Sequence, residues 1–303
     1  MTSPAASRSR AALLARACFV FNGLILANIV LGALVRAHGA GLACPDWPLC
    51  FGEVLPRVDF EVAWEVSHRF VGWTFGAAYL TLGALVLGDR VLRRAAGSVW
   101  AVGFALLAAQ GLLGALTVWQ LLASWSVTSH LLVGNAWNAC VLWLGFTLRA
   151  HARGAARPAA GRAAKLTVAL SALFLFFQVA LGGLVSSRYA GLACSTWPSC
   201  QGGAWFPVWG MQNPIGLHVH HRANAYLLAG LLLAMAWAAR GVPRLAGRAR
   251  LALALAFVQM AVGIANVLLE LPVEITALHS LFAGALVLAV ASCAHAAFAK
   301  EPA

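Results

Sequence analysis

Read by hydrophobicity alone, the chain alternates long apolar runs with short polar connectors. Each run is long enough to cross ~30 Å of hydrocarbon as a helix. Eight spans are predicted, at 17–36, 66–88, 98–119, 127–148, 166–187, 216–239, 251–269 and 276–298. The pattern also repeats. A shift of 150 residues lays GALVRAHGAGLACPDWPLC (32–50) over GGLVSSRYAGLACSTWPSC (182–200). With a slip of a few residues it also brings His68-Arg69 onto His221-Arg222 and His130 onto His279. The expected fold is an all-α integral membrane protein of eight transmembrane helices, forming two pseudo-symmetric four-helix bundles. Residues 1–150 make the first half, 151–165 an Ala-, Gly-, Pro- and Arg-rich linker, and 166–303 the second. Four spans per half is an even number, so both halves enter the membrane in one orientation and the repeat is parallel.

Composition agrees: 62% hydrophobic and 10% charged residues exclude an ordinary soluble globule. The net charge of +12 raises the question of nucleic acid, but its placement argues against that partner. Basic residues collect on one side of the predicted topology: Arg8, Arg10 and Arg16, then Arg90, Arg93 and Arg94. The linker region adds Arg149, Arg153, Arg157, Arg162 and Lys165, and the last inner connector and C-terminus add Arg240, Arg244, Arg248, Arg250 and Lys300. Most acids lie opposite, near 37–65 and 270–274. The positive-inside rule then puts both termini of a multi-pass membrane protein in the cytoplasm and the odd connectors outside. The basic N-terminal segment precedes a full-length span and reads as a retained anchor, not a cleaved signal peptide.

Against this background the ionisable residues within the spans carry the chemistry. A charged group at bilayer depth costs ~2.5–3.5 kcal/mol on insertion scales, so such residues usually have a partner and a task. His68, His130, His221 and His279 occupy matched positions near the outer ends of spans two, four, six and eight. One histidine alone reads as a hydrogen bond across the bundle. Two matched pairs on helices of four-helix units suit iron in a porphyrin plane, with an imidazole from each side. Zinc or copper would want ligands converging on one point. Arg69 and Arg222 follow two of these histidines, and are candidates either for haem propionates or for interfacial snorkelling. His38, His151 and His295 have no counterparts in the repeat and read as loop or interface residues.

Cys18, Cys140 and Cys293 fall within spans and read as small core residues. Cys44 and Cys50, and likewise Cys194 and Cys200, bracket Trp-Pro in the two long outer loops. An oxidising compartment favours a disulfide within each pair, worth roughly 2 kcal/mol in the chain-entropy picture. A redox role for the first pair and a zinc site are the alternatives. The halves differ at one position: Glu65 precedes His68 by three residues, where His218 precedes His221. That spacing puts Glu65 on the helical face of His68. It is either a catalytic acid beside one haem or a carboxylate favoured at a helix start by the dipole.

These residues resemble the haem A synthase family of the respiratory membrane, in its bacterial cysteine-containing branch. The likeness rests on Glu65-x-x-His68-Arg69, on Gln110-Gly-Leu-Leu-Gly114-Ala-Leu-Thr117-Val, on the later histidines and on the paired loop cysteines. It implies conversion of haem O to haem A for terminal oxidases, by successive oxidation of a porphyrin methyl group to a formyl group. It further implies a resident haem b held through its iron by His221 and His279. Substrate haem O would then sit between His68 and His130, with Glu65 as the required acid. Implied partners are the haem O synthase, an unidentified electron donor and membrane lipid, and a homo-oligomer is left open.

Two other functions share these ligands. A bis-histidine b-type membrane cytochrome would only transfer electrons, and a haem-handling transporter would use the tryptophans of the outer loops (Trp47, Trp197, Trp205, Trp209), which also suit an aromatic belt. A prenyltransferase is excluded, because Asp46, Asp59 and Asp89 are too scattered to hold magnesium and diphosphate.

Overall fold

Asp59, Asp89 and Asn213 stand just before three of the apolar runs, and each side chain accepts backbone N–H bonds from the turn that follows. N-caps of this kind satisfy donors that a helix start leaves free. The computed structural model describes residues 4–154, 160–200, 203–205 and 210–299. It is all-helical apart from turns and one isolated bridge between Cys50 and Glu53. The helices are α1 Pro4–Ala37, α2 Phe60–Leu87, α3 Arg90–Trp119, α4 Ser124–Arg153, α5 Arg162–Ser187, α6 Pro214–Ala238, α7 Pro243–Leu268 and α8 Val273–Phe298.

Several helices outrun the predicted spans on the basic side: α1 starts at Pro4, α3 at Arg90 and α7 at Pro243. Hydropathy marks where apolar residues stop. The backbone ladder continues through the Ala- and Arg-rich segments beyond, because both residues are good helix formers. Among the described residues, seven helices are long and apolar enough to cross a membrane. α6 falls short of that measure, since His218, His220, His221 and Arg222 crowd its first turns. The chain is a multi-pass membrane protein. Arg157 and Lys300 of the basic set, Trp209, and positions 155–159 of the linker lie outside the described residues.

Packing follows chain order. α1 lies against α2 and α4, and α3 against the same two; α5 lies against α6 and α8, and α7 against those. Among the described residues, α2 and α4 make no close backbone approach to each other, and neither do α6 and α8. Each such pair therefore sits on a diagonal of its bundle. One core gathers Cys18, Tyr79, Val141 and Leu144, the other Leu232, Met235, Leu245 and Cys293. The two bundles meet where α1 touches α8, α4 touches α5, and α4 touches α8. His151 and His295 both lie in helices, not loops. His295 is buried at the α4–α8 seam, its ring 4.9 Å from that of Trp143 and 5.1 Å from that of Phe146. His38 follows α1 and stacks on Trp64.

The short turns between α3 and α4 and between α7 and α8 are built alike. Leu121 and Leu122 take left-handed backbone angles between α3 and α4, and Glu270 and Leu271 do so between α7 and α8. Leu122 reaches Gly41 of the first long loop, and Leu271 reaches Gly191 of the second. A Cβ on either glycine would lie 3.3 Å and 3.0 Å from those leucines, so each long loop lies close over its own bundle.

Candidate functional site

The four span histidines fall on α2, α4, α6 and α8, the diagonal helices. His68 and His130 are near enough to interact electrostatically, and His221 and His279 likewise. The pairs are therefore those expected from the repeat. Two interacting imidazoles carried by diagonal helices that do not pack on each other suit a planar macrocycle held between them.

Each ring lies against a glycine of a neighbouring helix. A Cβ built on Gly32, Gly114, Gly182 or Gly263 would lie 3.0, 3.3, 3.1 or 3.0 Å from Cε1 of His68, His130, His221 or His279. Each glycine gives its imidazole room. The rings also meet amides. His68 Nδ1 lies 3.1 Å from Asn28 Oδ1, and His130 Nε2 lies 3.2 Å from Gln110 Nε2. Gln178 Nε2 lies 3.2 Å from His221 Nδ1. Nδ1 of His130 and of His279 is buried without a hydrogen-bond partner among the described residues. For His279 a ring nitrogen in that state suits a ligand whose other nitrogen binds iron; for His130 the other nitrogen is the one that meets Gln110. No three His, Cys, Asp or Glu side chains converge as a metal cluster among the described residues.

Near His68 and His221 each bundle carries a closed loop. Cys44 is bonded to Cys50 and Cys194 to Cys200, while Cys18, Cys140 and Cys293 are free. The zinc alternative for the loop cysteines is thereby set aside. The disulfide loops are held by the arginine after each histidine. Arg69 donates to the carbonyls of Asp46, Leu49 and Cys44. Arg222 donates to those of Thr196, Ser199 and Cys194, the same three places in the repeat. A guanidinium fork supplies several donors in fixed geometry, which an interfacial snorkelling lysine would not. Arg222 also lines a cavity of about 380 Å³ with Trp197, Pro198, Trp205, Val219 and Tyr226. Arg69 lines a much smaller one with Pro48, Val66 and Trp73. Trp47 instead packs on Trp119.

Glu65 is 5% exposed and fully engaged: Oε1 lies 2.5 Å from Arg69 and Oε2 accepts the Cys44 N–H at 2.8 Å. At the matching place, His218 Nδ1 lies 3.1 Å from the Ala190 carbonyl and 3.4 Å from the Cys194 amide. An imidazole thus ties down the second loop without a carboxylate. Gln110 stands in a motif legible from the sequence, whereas Asn28 and Gln178 join the histidines only in the folded structure. An amide four residues before a glycine, once in every odd-numbered helix, was the available sign.

The family model described as cytochrome oxidase assembly protein, COX15-CtaA, matches residues 15–291. The chain is similar to the haem A synthase of Shewanella oneidensis, with 31% identity covering 88% of this chain and 90% of the relative. It is 32% identical to the haem A synthase of a Methylobacterium species, over 88% of this chain and 87% of that one. A haem A synthase of Alkalihalophilus pseudofirmus is 32% identical over 70% of this chain and 72% of its own length.

Proposed function

The chain belongs to the COX15-CtaA family of cytochrome oxidase assembly proteins, and from that premise we propose how its two histidine pairs divide the work of a haem A synthase. The protein is an oxidoreductase that converts haem O to haem A. We assign substrate haem O to His68 and His130 in residues 1–150, and a resident haem b to His221 and His279 in residues 166–303. The b-type haem would supply one-electron transfers. The halves are related by a pseudo-two-fold axis along the membrane normal, a reading supported by their matched disulfide loops, arginine clamps and outer turns. Both termini and the linker lie in the cytoplasm, following the arginines.

One observation carries the division. Both halves tie their loops to the second helix of the bundle, but only the first does so with a buried acid. Since His218 and Arg222 hold the second loop, the Glu65 carboxylate exceeds what anchoring requires. Turning a methyl into a formyl group releases protons at the substrate, and stabilising positive charge on its carbon lowers the barrier. Glu65, one turn from His68, is placed for both. Arg69 and Arg222 keep positive charge at the outer rim, where propionates would meet them. An electron-transfer cytochrome would share every histidine and have no use for this acid.

Glu65→Gln keeps the size and most of the hydrogen bonding. Resident haem should survive, while the rate of haem A formation should fall ~10²–10⁴-fold. Mass analysis of porphyrins extracted from cells that also make haem O reads the outcome. Normal haem A from this variant would leave the carboxylate a loop anchor and remove the support for the division.

A further inference from the structure

The odd-numbered helices share a spacing that the repeat of 150 residues does not by itself explain. Asn28 and Gly32 on α1, Gln110 and Gly114 on α3, Gln178 and Gly182 on α5, and Gln259 and Gly263 on α7 each put an amide one turn before a glycine. One turn apart on a helix is one face. The repeat relates α1 to α5 and α3 to α7, but not α1 to α3, so the feature arises twice within each half. In every case the glycine faces the imidazole of the next helix. Asn28 Oδ1 lies 3.1 Å from His68 Nδ1, Gln178 Nε2 lies 3.2 Å from His221 Nδ1 and 3.4 Å from its Nε2, and Gln110 Nε2 lies 3.2 Å from His130 Nε2. In the fourth, Gln259 Oε1 and His279 Nδ1 are both buried without hydrogen-bond partners among the described residues, and the same holds for Gln110 Oε1 and His130 Nδ1. Buried polar atoms left unmatched in pairs point to a bond that another ring or amide rotation would make.

We propose that Asn28, Gln110, Gln178 and Gln259 are positioning residues whose amide oxygens accept the Nδ1–H of the four axial histidines, setting ring rotation and ligand strength. An imidazole that gives Nε2 to iron has Nδ1–H left to donate, and in a dry interior it needs an acceptor. Asn28 already presents its oxygen to His68 Nδ1. At Gln178 the amide nitrogen now faces His221 Nδ1, whereas at Gln110 it faces His130 Nε2, so there the imidazole must also turn to bring Nδ1 to the amide. Half a turn about the last side-chain bond exchanges it for the oxygen. Asn224 holds Gln178 Oε1 at 2.8 Å, and would turn with it. Each glycine then does what an alanine could not: it lets the ring approach near enough for an amide one turn away to reach it.

This inference rests on the bis-histidine reading above, so the test separates the two. The purified full-length protein is compared with Gln178→Met, Gln259→Met, Gln178→Asn and His221→Ala. The readouts are haem retention, midpoint potential and low-spin electron paramagnetic resonance. The methionine variants keep volume but remove the acceptor. We expect haem to be held 10–100-fold less tightly, a more positive potential because the imidazole donates less strongly, and shifted g-values because the ring is free to rotate. Gln178→Asn should recover most of each change. Two glutamines serving one haem keep the test open if either variant fails to accumulate. Methionine variants matching the wild type in all three readouts would overturn the proposal, as would equal shifts in the methionine and asparagine variants. Haem retained in full by His221→Ala would instead overturn the ligand assignment itself.

Discussion

At Gly76 an added methyl group would meet open space, whereas at Gly32, Gly114, Gly182 and Gly263 it would press on an imidazole ring. Replacing a helical glycine by alanine ordinarily favours the helix by roughly 0.5–1 kcal/mol. At the four ring contacts that gain is opposed by overpacking of about 1–3 kcal/mol. Gly76→Ala should therefore be neutral or mildly stabilising. Gly182→Ala and Gly263→Ala should lower the ratio of resident haem to protein, read from absorbance of the purified protein. Gly32→Ala and Gly114→Ala should spare that ratio and reduce haem A. A Gly182→Ala protein with full haem and an unaltered spectrum would show that its ring is not tightly seated.

Between residue and bundle, the working element is a disulfide loop fastened to a helix by one arginine. The two copies differ in what surrounds that arginine. Arg69 is ion-paired with Glu65, the two side chains 9% and 6% exposed, while no carboxylate pairs with Arg222 among the described residues. Removing one member of a buried pair strands the other charge and costs about 3–5 kcal/mol. Losing hydrogen bonds to carbonyls alone costs about 1–3 kcal/mol. Arg69→Gln should thus destabilise the protein more than Arg222→Gln, and adding Glu65→Gln to Arg69→Gln should restore part of the loss. Thermal unfolding in detergent ranks the three. Equal losses for the two single variants would mean that the Glu65–Arg69 pair adds nothing to the clamp.

The whole molecule is held together by its inner helices. α1, α4, α5 and α8 make the seam, and Arg36 at the end of α1 bridges it to the end of α5, donating to the hydroxyl and the carbonyl oxygen of Ser186 and lying 4.8 Å above the ring of Tyr189. Residues 36 and 186 are equivalent positions of the repeat, so this contact joins the matching ends of α1 and α5. The side of the membrane on which this bridge sits can be measured. Cysteines introduced at exposed Val54 and Arg244 should be labelled from outside the cell and from the cytoplasm respectively; the native free cysteines are buried or partly buried. Labelling in the reverse sense would invert the proposed orientation of the sites.

Apolar run length, the repeat and the matched histidines are properties of sequence order, so eight helices and the placing of His68, His130, His221 and His279 on the even-numbered ones were legible from the chain alone. The cysteine pairs were too, because six residues of separation with Trp-Pro between leave little choice of partner. What lies across helices was not legible. That Arg69 and Arg222 clamp loops, that Glu65 is tied to the Cys44 amide, and that His295 is buried at a seam all depend on contacts between distant segments. Such contacts arise from how side chains meet when helices pack, which no single-helix periodicity encodes. The amide and glycine pairs stand between the two cases. Their spacing is written in every odd helix, but only packing shows that the face they share is the one turned to a histidine.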